Sequence, residues 1–183
     1  MNRKLYKILI IFLRILLLII FIGFLLPSKL IIPVENAKEG DWNKDAFWFS
    51  PWGESLSPHK GIDVFAKKGT NVLAPVGGII IVSQINASKG GNFIYLLGPR
   101  WRIYYFAHLD GEQARAGKFV AKGAIIGKVG TSGNAQNKEP HLHFSVMSLF
   151  PLINNYRSNV REKHLTMFYL DPTPLLIHSK SNQ

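Results

Sequence analysis

Apolar residues crowd the first 27 positions, then give way to short alternating runs separated by turn residues. The leader reads MNRKLYK, ILIIFL, Arg14, then ILLLIIFIGFLL up to Pro27, and the apolar run Ile8 to Leu26 is 19 residues long. As a helix it would measure about 28 Å, close to the thickness of a hydrocarbon core. Arg14 sits near one end, where a long side chain can snorkel to the head groups. Residues 1–27 are therefore expected to be a membrane anchor, or a signal sequence, since 15–26 alone have the length of a signal's apolar region. Small residues for cleavage are poorly placed: a cut after Ser28 puts Leu26 three positions back, and a cut after Ala37 puts Glu35 there. The basic leader would stay in the cytoplasm, so the rest of the chain would lie outside it as a single-pass protein, or be secreted if the leader is removed.

Residues 28–48, with Pro33 and Gly40, read as a stalk, and residues 49–178 as one domain. Five runs predict strands: 77–84, 92–98, 102–109, 123–130 and 141–147. They are β-branched or aromatic and are parted by Gly, Asn, Asp and Ser, the pattern of an all-β, mostly antiparallel fold. Residues 148–170 interrupt it with a loop and one short helix in NVREKHL. Asp171-Pro172-Thr173-Pro174 ends that stretch, and a last helical turn follows in LLIH.

The chain has no cysteine, which excludes a disulfide scaffold, a thiolate metal site and a cysteine nucleophile. Any metal must be held by imidazole and carboxylate, which suits catalytic zinc. The net charge of +11 divides into +5 before Glu35 and +6 from Glu35 onward, where there are 17 basic and 11 acidic residues. That balance is compatible with a polyanionic neighbour or with ordinary solubility. No basic helix or zinc-finger spacing is visible, so no nucleic-acid partner is expected.

Four of the six histidines fall in three short elements: His59-Lys60-Gly61-Ile62-Asp63, Ala107-His108-Leu109 and His141-Leu142-His143. In a strand, His141 and His143 share a face about 6.6 Å apart. Both could then bind one metal, or one could bind it with the other alongside, or both could simply face solvent. Pro58 and Gly61 argue against a helix between His59 and Asp63. Fully extended, the pair would lie about 13 Å apart, too far for one ion, so the chain must bend, and Gly61 permits the bend. A His, Asp and His set leaves a fourth zinc position for water, as catalytic sites do. Zinc brings the pKa of such a water toward about 7, and further imidazoles could move protons.

At this point the motifs SPWG (50–53), HKGIDVFAKKGTNVLAPVGGIIIV (59–82), YYFAHLD (104–110), GTSGNAQNKEPHLHFSV (130–146) and DPTPLL (171–176) come into play. In order and interval they resemble the lysostaphin/LytM family of zinc endopeptidases, which cut peptide bonds in peptidoglycan, over roughly Phe49 to Leu176. The resemblance implies a small, mostly antiparallel β-sandwich with its site in a groove on one sheet. It implies zinc ligands at His59, Asp63 and His143, and catalytic histidines at His108 and His141. Gly61, Gly69, Gly78 and Gly133 then read as turn or close-approach positions. Some members of that family have lost their ligands and instead activate other wall hydrolases; all five positions are filled here.

Two departures stand out. After Met147, 23 positions precede Asp171, an insertion at about 148–170 that could shape substrate choice or dock a regulatory protein. Glu139 precedes Pro140 where a small residue is usual in the family. Trp42, Trp48, Trp52, Trp101, Tyr104 and Tyr105 are candidates for a groove wall or for the core. His164 and His178 are expected at the surface, and Asn36 and Asn43 as linker residues or caps on the metal.

Overall fold

The computed structural model describes residues 3–50, 57–111 and 113–177. Pro51, Trp52 and Gly53 of the SPWG motif, and His178, lie outside the described residues. Helix α1 (Arg3–Leu25) holds the apolar run and is long and apolar enough to cross a membrane. Its large side chains point outward and only Gly23 is buried. A helix apolar on every side has no water-facing stripe, the composition of a lipid-embedded segment.

The strands are β1 (Ile62–Phe65), β2 (Asn71–Leu73), β3 (Gly78–Ala87), β4 (Gly91–Gly98), β5 (Arg102–Leu109), β6 (Phe119–Val120), β7 (Ile125–Lys128), β8 (His141–Ser148) and β9 (Tyr169–Leu170). A seven-stranded sheet runs in the order β1-β8-β5-β4-β3-β6, with β9 also on β8, and β2 and β7 form a second small sheet. Every pairing is antiparallel. The expected all-β, LytM-like architecture is thus present, and the five expected strands correspond to β3, β4, β5, β7 and β8. In the insertion, the expected helix in NVREKHL is a 3-10 helix shifted to Lys163–Phe168. The last helical turn is α2 (Pro172–Ile177), with prolines near its start, where a missing N–H costs nothing.

Strand parity decides what faces where. Ile62 and Val64 of β1, Tyr104 and Phe106 of β5, and Leu142, Phe144 and Val146 of β8 lie in the core with Val72 of β2 and Ile126 of β7. Their neighbours in sequence fall on the opposite face: Asp63 pairs with His143, and His143 with Ala107 on its other side. Tyr104 is therefore core, whereas Tyr105 belongs to the face that carries the histidines.

The core also takes Leu30, Val34 and Trp42 from the segment after α1. That segment runs antiparallel to β2, with Leu73 N–H bonded to the Pro33 carbonyl at 2.8 Å and Glu35 N–H to Asn71 at 3.0 Å. Residues 26–29 alone separate the end of α1 from Leu30, the first core residue. Gly61 sits at the expected bend in the chain, without a positive φ. It is a close-approach position: a Cβ there would collide with the Phe144 carbonyl and the Ser145 hydroxyl across the β1–β8 pair. Replacement by any larger residue would wedge β1 off β8 and move Asp63 with it.

Candidate metal centre

His59 reaches the sheet from a short extended pair with residues 48–49, His59 N–H bonding the Phe49 carbonyl at 2.9 Å and Trp48 N–H the His59 carbonyl at 2.7 Å. Asp63 and His143 are direct partners across β1 and β8. Three donor atoms converge. His59 Nε2 lies 3.1 Å from Asp63 Oδ1 and 2.9 Å from His143 Nδ1, and His143 Nδ1 lies 2.9 Å from Asp63 Oδ1. No other such group of three is found among the described residues.

The outer partner of His59 is a carbonyl and fixes its tautomer, whereas the hydroxyl beside His143 can donate or accept. His59 Nδ1 lies 3.2 Å from the Ala46 carbonyl, so Nδ1–H donates outward and Nε2 turns a lone pair inward. His143 Nε2 lies 3.0 Å from the Ser145 hydroxyl, and its Nδ1 likewise faces Asp63. Three acceptors crowding one point repel each other unless a cation or a proton lies between them. Zinc with ligands at about 2.0–2.1 Å in a tetrahedron would set its donors about 3.3 Å apart, a few tenths more than the spacings here. The donor set and geometry fit that ion, with one face open.

Electrostatics follow from these contacts. Burial opposes the Asp63 charge, but bonds from His143 and His59 outweigh it and hold the carboxyl well below the usual range. Burial also opposes a charge on His59, yet Asp63 raises its pKa. At His143 burial wins and lowers the pKa despite Asp63.

His108 and His141 complete the face. Their ring centroids are 5.0 Å apart, and His108 is 6.1 Å from His143. His141 Nδ1 donates to the Glu139 carbonyl at 2.7 Å and His108 Nδ1 to the Ser132 carbonyl at 2.9 Å. Each Nε2 is left with no hydrogen-bond partner among the described residues. Burial pushes His108 down to about 4, so it is neutral at pH 7. With Tyr105, Ala107, Lys89, Lys138 and Asn134, these residues line an open groove of about 280 Å³ over the donor cluster. Burial also pushes the Tyr105 phenol up to about 12, which keeps its proton in place.

How His108 reaches this face is the least obvious feature of the site. By parity it should point with Phe106 into the core. It has φ 64°, a left-handed conformation, at a register shift where Phe106 pairs with Ile94 and Leu109 with Asn92. This β-bulge puts one extra residue into β5 and turns the imidazole out. Behind it, Gly133 (φ 67°) packs so closely on Gly91 that a Cβ would collide with the Gly91 amide. That contact holds the neighbouring Ser132 carbonyl where His108 needs it.

All five candidate site residues, His59, Asp63, His108, His141 and His143, thus meet in one groove. The structure separates His143 from His141 by the donor cluster, which includes only the former. Trp42 and Trp48 are buried rather than groove wall, Tyr105 does line the groove, and His164 is exposed beside Tyr156. Neither Asn36 nor Asn43 is among the groove residues; the Asn43 side chain instead accepts the Asp45 amide at 3.0 Å. Ser145 and Ser132 went unread in the sequence, although Ser145 shares the parity of His143. The insertion borders the groove through Glu162, which bonds Ser57 and pairs with Lys60 at 2.5 Å.

A His-Asp-His cluster that could hold one metal ion, open on one side and flanked by two imidazoles, thus sits on an antiparallel sheet. Residues 57–159 match the model of Peptidase family M23, and the chain belongs to that family. It is 31% identical over 144 residues to an L-Ala–D-Glu endopeptidase of Bacillus subtilis, covering 72% of this chain and 40% of that protein. It is 30% identical over 127 residues to lysostaphin of Staphylococcus simulans, covering 69% of this chain and 23% of that one. The solved catalytic domain of that lysostaphin superposes with a TM-score of 0.59 at 28% identity, over 78% of this chain and 93% of that domain. The chain spans less than half the length of the curated relatives it matches.

Proposed function

We propose that this chain is a membrane-tethered zinc endopeptidase that hydrolyses peptide bonds in peptidoglycan outside the cytoplasm. The observation that carries this is the convergence of the His59, Asp63 and His143 donor atoms beneath a groove lined by two further imidazoles. The family and the activities named for its relatives support the substrate class; α1 and its basic leader support the location. His59, Asp63 and His143 would hold the zinc ion, which supplies Lewis acidity toward a water and a scissile carbonyl when bound.

The chain's own residues do the rest. His108 and His141 present Nε2 lone pairs to the groove, anchored through Nδ1–H on backbone carbonyls that fix tautomer and orientation. His108, neutral at pH 7, accepts the proton of the attacking water with His141 beside it, and once protonated returns it to the departing amine nitrogen as the C–N bond breaks. The Tyr105 hydroxyl, protonated throughout the neutral range, is a donor for the oxygen that gains charge on the carbonyl carbon. Lys89 and Lys138 line the same groove and suit the carboxylates of stem peptides.

Digestion of isolated peptidoglycan by the purified full chain tests the proposal. New amine ends should appear, disappear on chelation and return with zinc; intact cleavage in chelator, or none with zinc loaded, refutes it. The outer support of His143 adds a finer expectation. Ser145→Ala removes the partner of Nε2 without disturbing the donors, and zinc affinity should fall roughly 10- to 100-fold, as second-shell losses do. Competition against a coloured chelator measures this, and an unchanged affinity would make Ser145 a packing residue only.

A further inference from the structure

The sheet end opposite the metal groove meets α1 in a way that fixes its depth. The Trp101 indole N–H donates to the Ile20 carbonyl of α1 at 2.8 Å. Gly23 is the buried residue of α1, and a Cβ there would collide with the Trp101 ring. Phe24 packs on Phe150 with centroids 5.3 Å apart, and Leu149 N–H bonds the Trp101 carbonyl at 3.0 Å. The β4–β5 turn and residues 149–150 thus form one surface against the last turns of α1. Ile20 precedes the helix end at Leu25 by five residues, about 8 Å along the axis. If α1 spans a bilayer with its basic end inside, a ring bonded to Ile20 lies in the outer leaflet, about 8 Å inside the end of α1.

We propose that this surface docks on the phospholipid bilayer itself, with Trp101, Leu149 and Phe150 in the interface and Arg100 and Arg102 toward lipid phosphates. The inference rests on the reading of α1 as a membrane span. Trp is the residue suited to that level, having an apolar body and one N–H to satisfy. Leu149 and Phe150 remain 49% and 36% exposed beside a helix whose other side chains also lack cover, so the patch continues the lipid-facing surface of α1. The groove lies at the other end of β5. Trp101 and Ala107, the partner of His143, are six positions apart, so the site stands about 20 Å from the docking turn.

The chain has no cysteine, so single labels can be placed in the full-length protein. Leu13→Cys, Leu149→Cys and Ile85→Cys would each carry an environment-sensitive fluorophore in phospholipid nanodiscs containing acyl-chain nitroxide lipid. Ile85 is 58% exposed and equally apolar, but lies toward the far end of β3. Leu13 and Leu149 labels should lose fluorescence and the Ile85 label keep it. Quenching at Leu13 with none at Leu149 overturns the docking and spares the span. An unquenched Leu13 overturns both. Without labels, brominated lipid should quench the tryptophan emission of the wild type and lose that effect in Trp101→Phe; equal quenching in both proteins also overturns the docking.

Discussion

Replacing His143 with alanine is expected to remove the metal and, with it, peptidoglycan cleavage. Its Nδ1 lies within 2.9 Å of both other donors, so its loss leaves two ligands where the ion needs three from the protein. Outer-shell losses already cost about 10- to 100-fold in affinity, and a direct ligand should cost on the order of 1,000-fold or more. The side chain is on the groove face, so the apo fold should persist. Wild-type protein at zinc a thousand-fold above its Kd should gain about 4 kcal/mol of stability, and the variant none. Metal analysis, thermal melts with and without zinc, and digestion assays report the three effects separately. A variant that keeps zinc and cleaves normally would exclude His143 as a ligand.

His108→Ala is expected to do the converse, keeping zinc but lowering turnover by roughly 100- to 10,000-fold, the range for loss of a positioned acid–base group. The left-handed φ of 64° allows the chemistry to be separated from the backbone. His108→Gly removes the same imidazole yet suits that conformation, and should be more stable than His108→Ala by about 1 kcal/mol. Equal loss of turnover in both, with different melting temperatures, identifies the imidazole as the active element. Full activity in either would remove His108 from the reaction.

Much of this site was legible before the fold was known, for reasons that differ from residue to residue. Period-two alternation put His141 and His143 on one face, and that survives in β8. The partnership of Asp63 with His143 spans 80 residues; ligand chemistry made a shared site plausible, and the family resemblance chose His143 over His141 for it. His108 is the opposite case: alternation along RIYYFAHL places it with Phe106 in the core, and nothing in the letters announces a bulge. The segment after α1 was similarly opaque. Leu30, Val34 and Trp42 stand in a stretch broken by Pro33, Gly40 and mixed charges, so their place in the core became visible only once β2 was there to pair with. Gly61 was singled out both for a bend and for close approach, and it serves both, turning the chain into β1 and letting two backbones touch.

The short link between α1 and the body has a kinetic consequence. Four residues, at most about 18 Å even when stretched from Leu25 to Leu30, give the domain no independent range. If α1 is the proposed membrane span, the groove is confined to a sheet of space along the bilayer, where its encounters are set by copies per unit area and lateral diffusion. Raising the amount of the protein should speed cleavage in the innermost wall layer and leave strands farther out untouched.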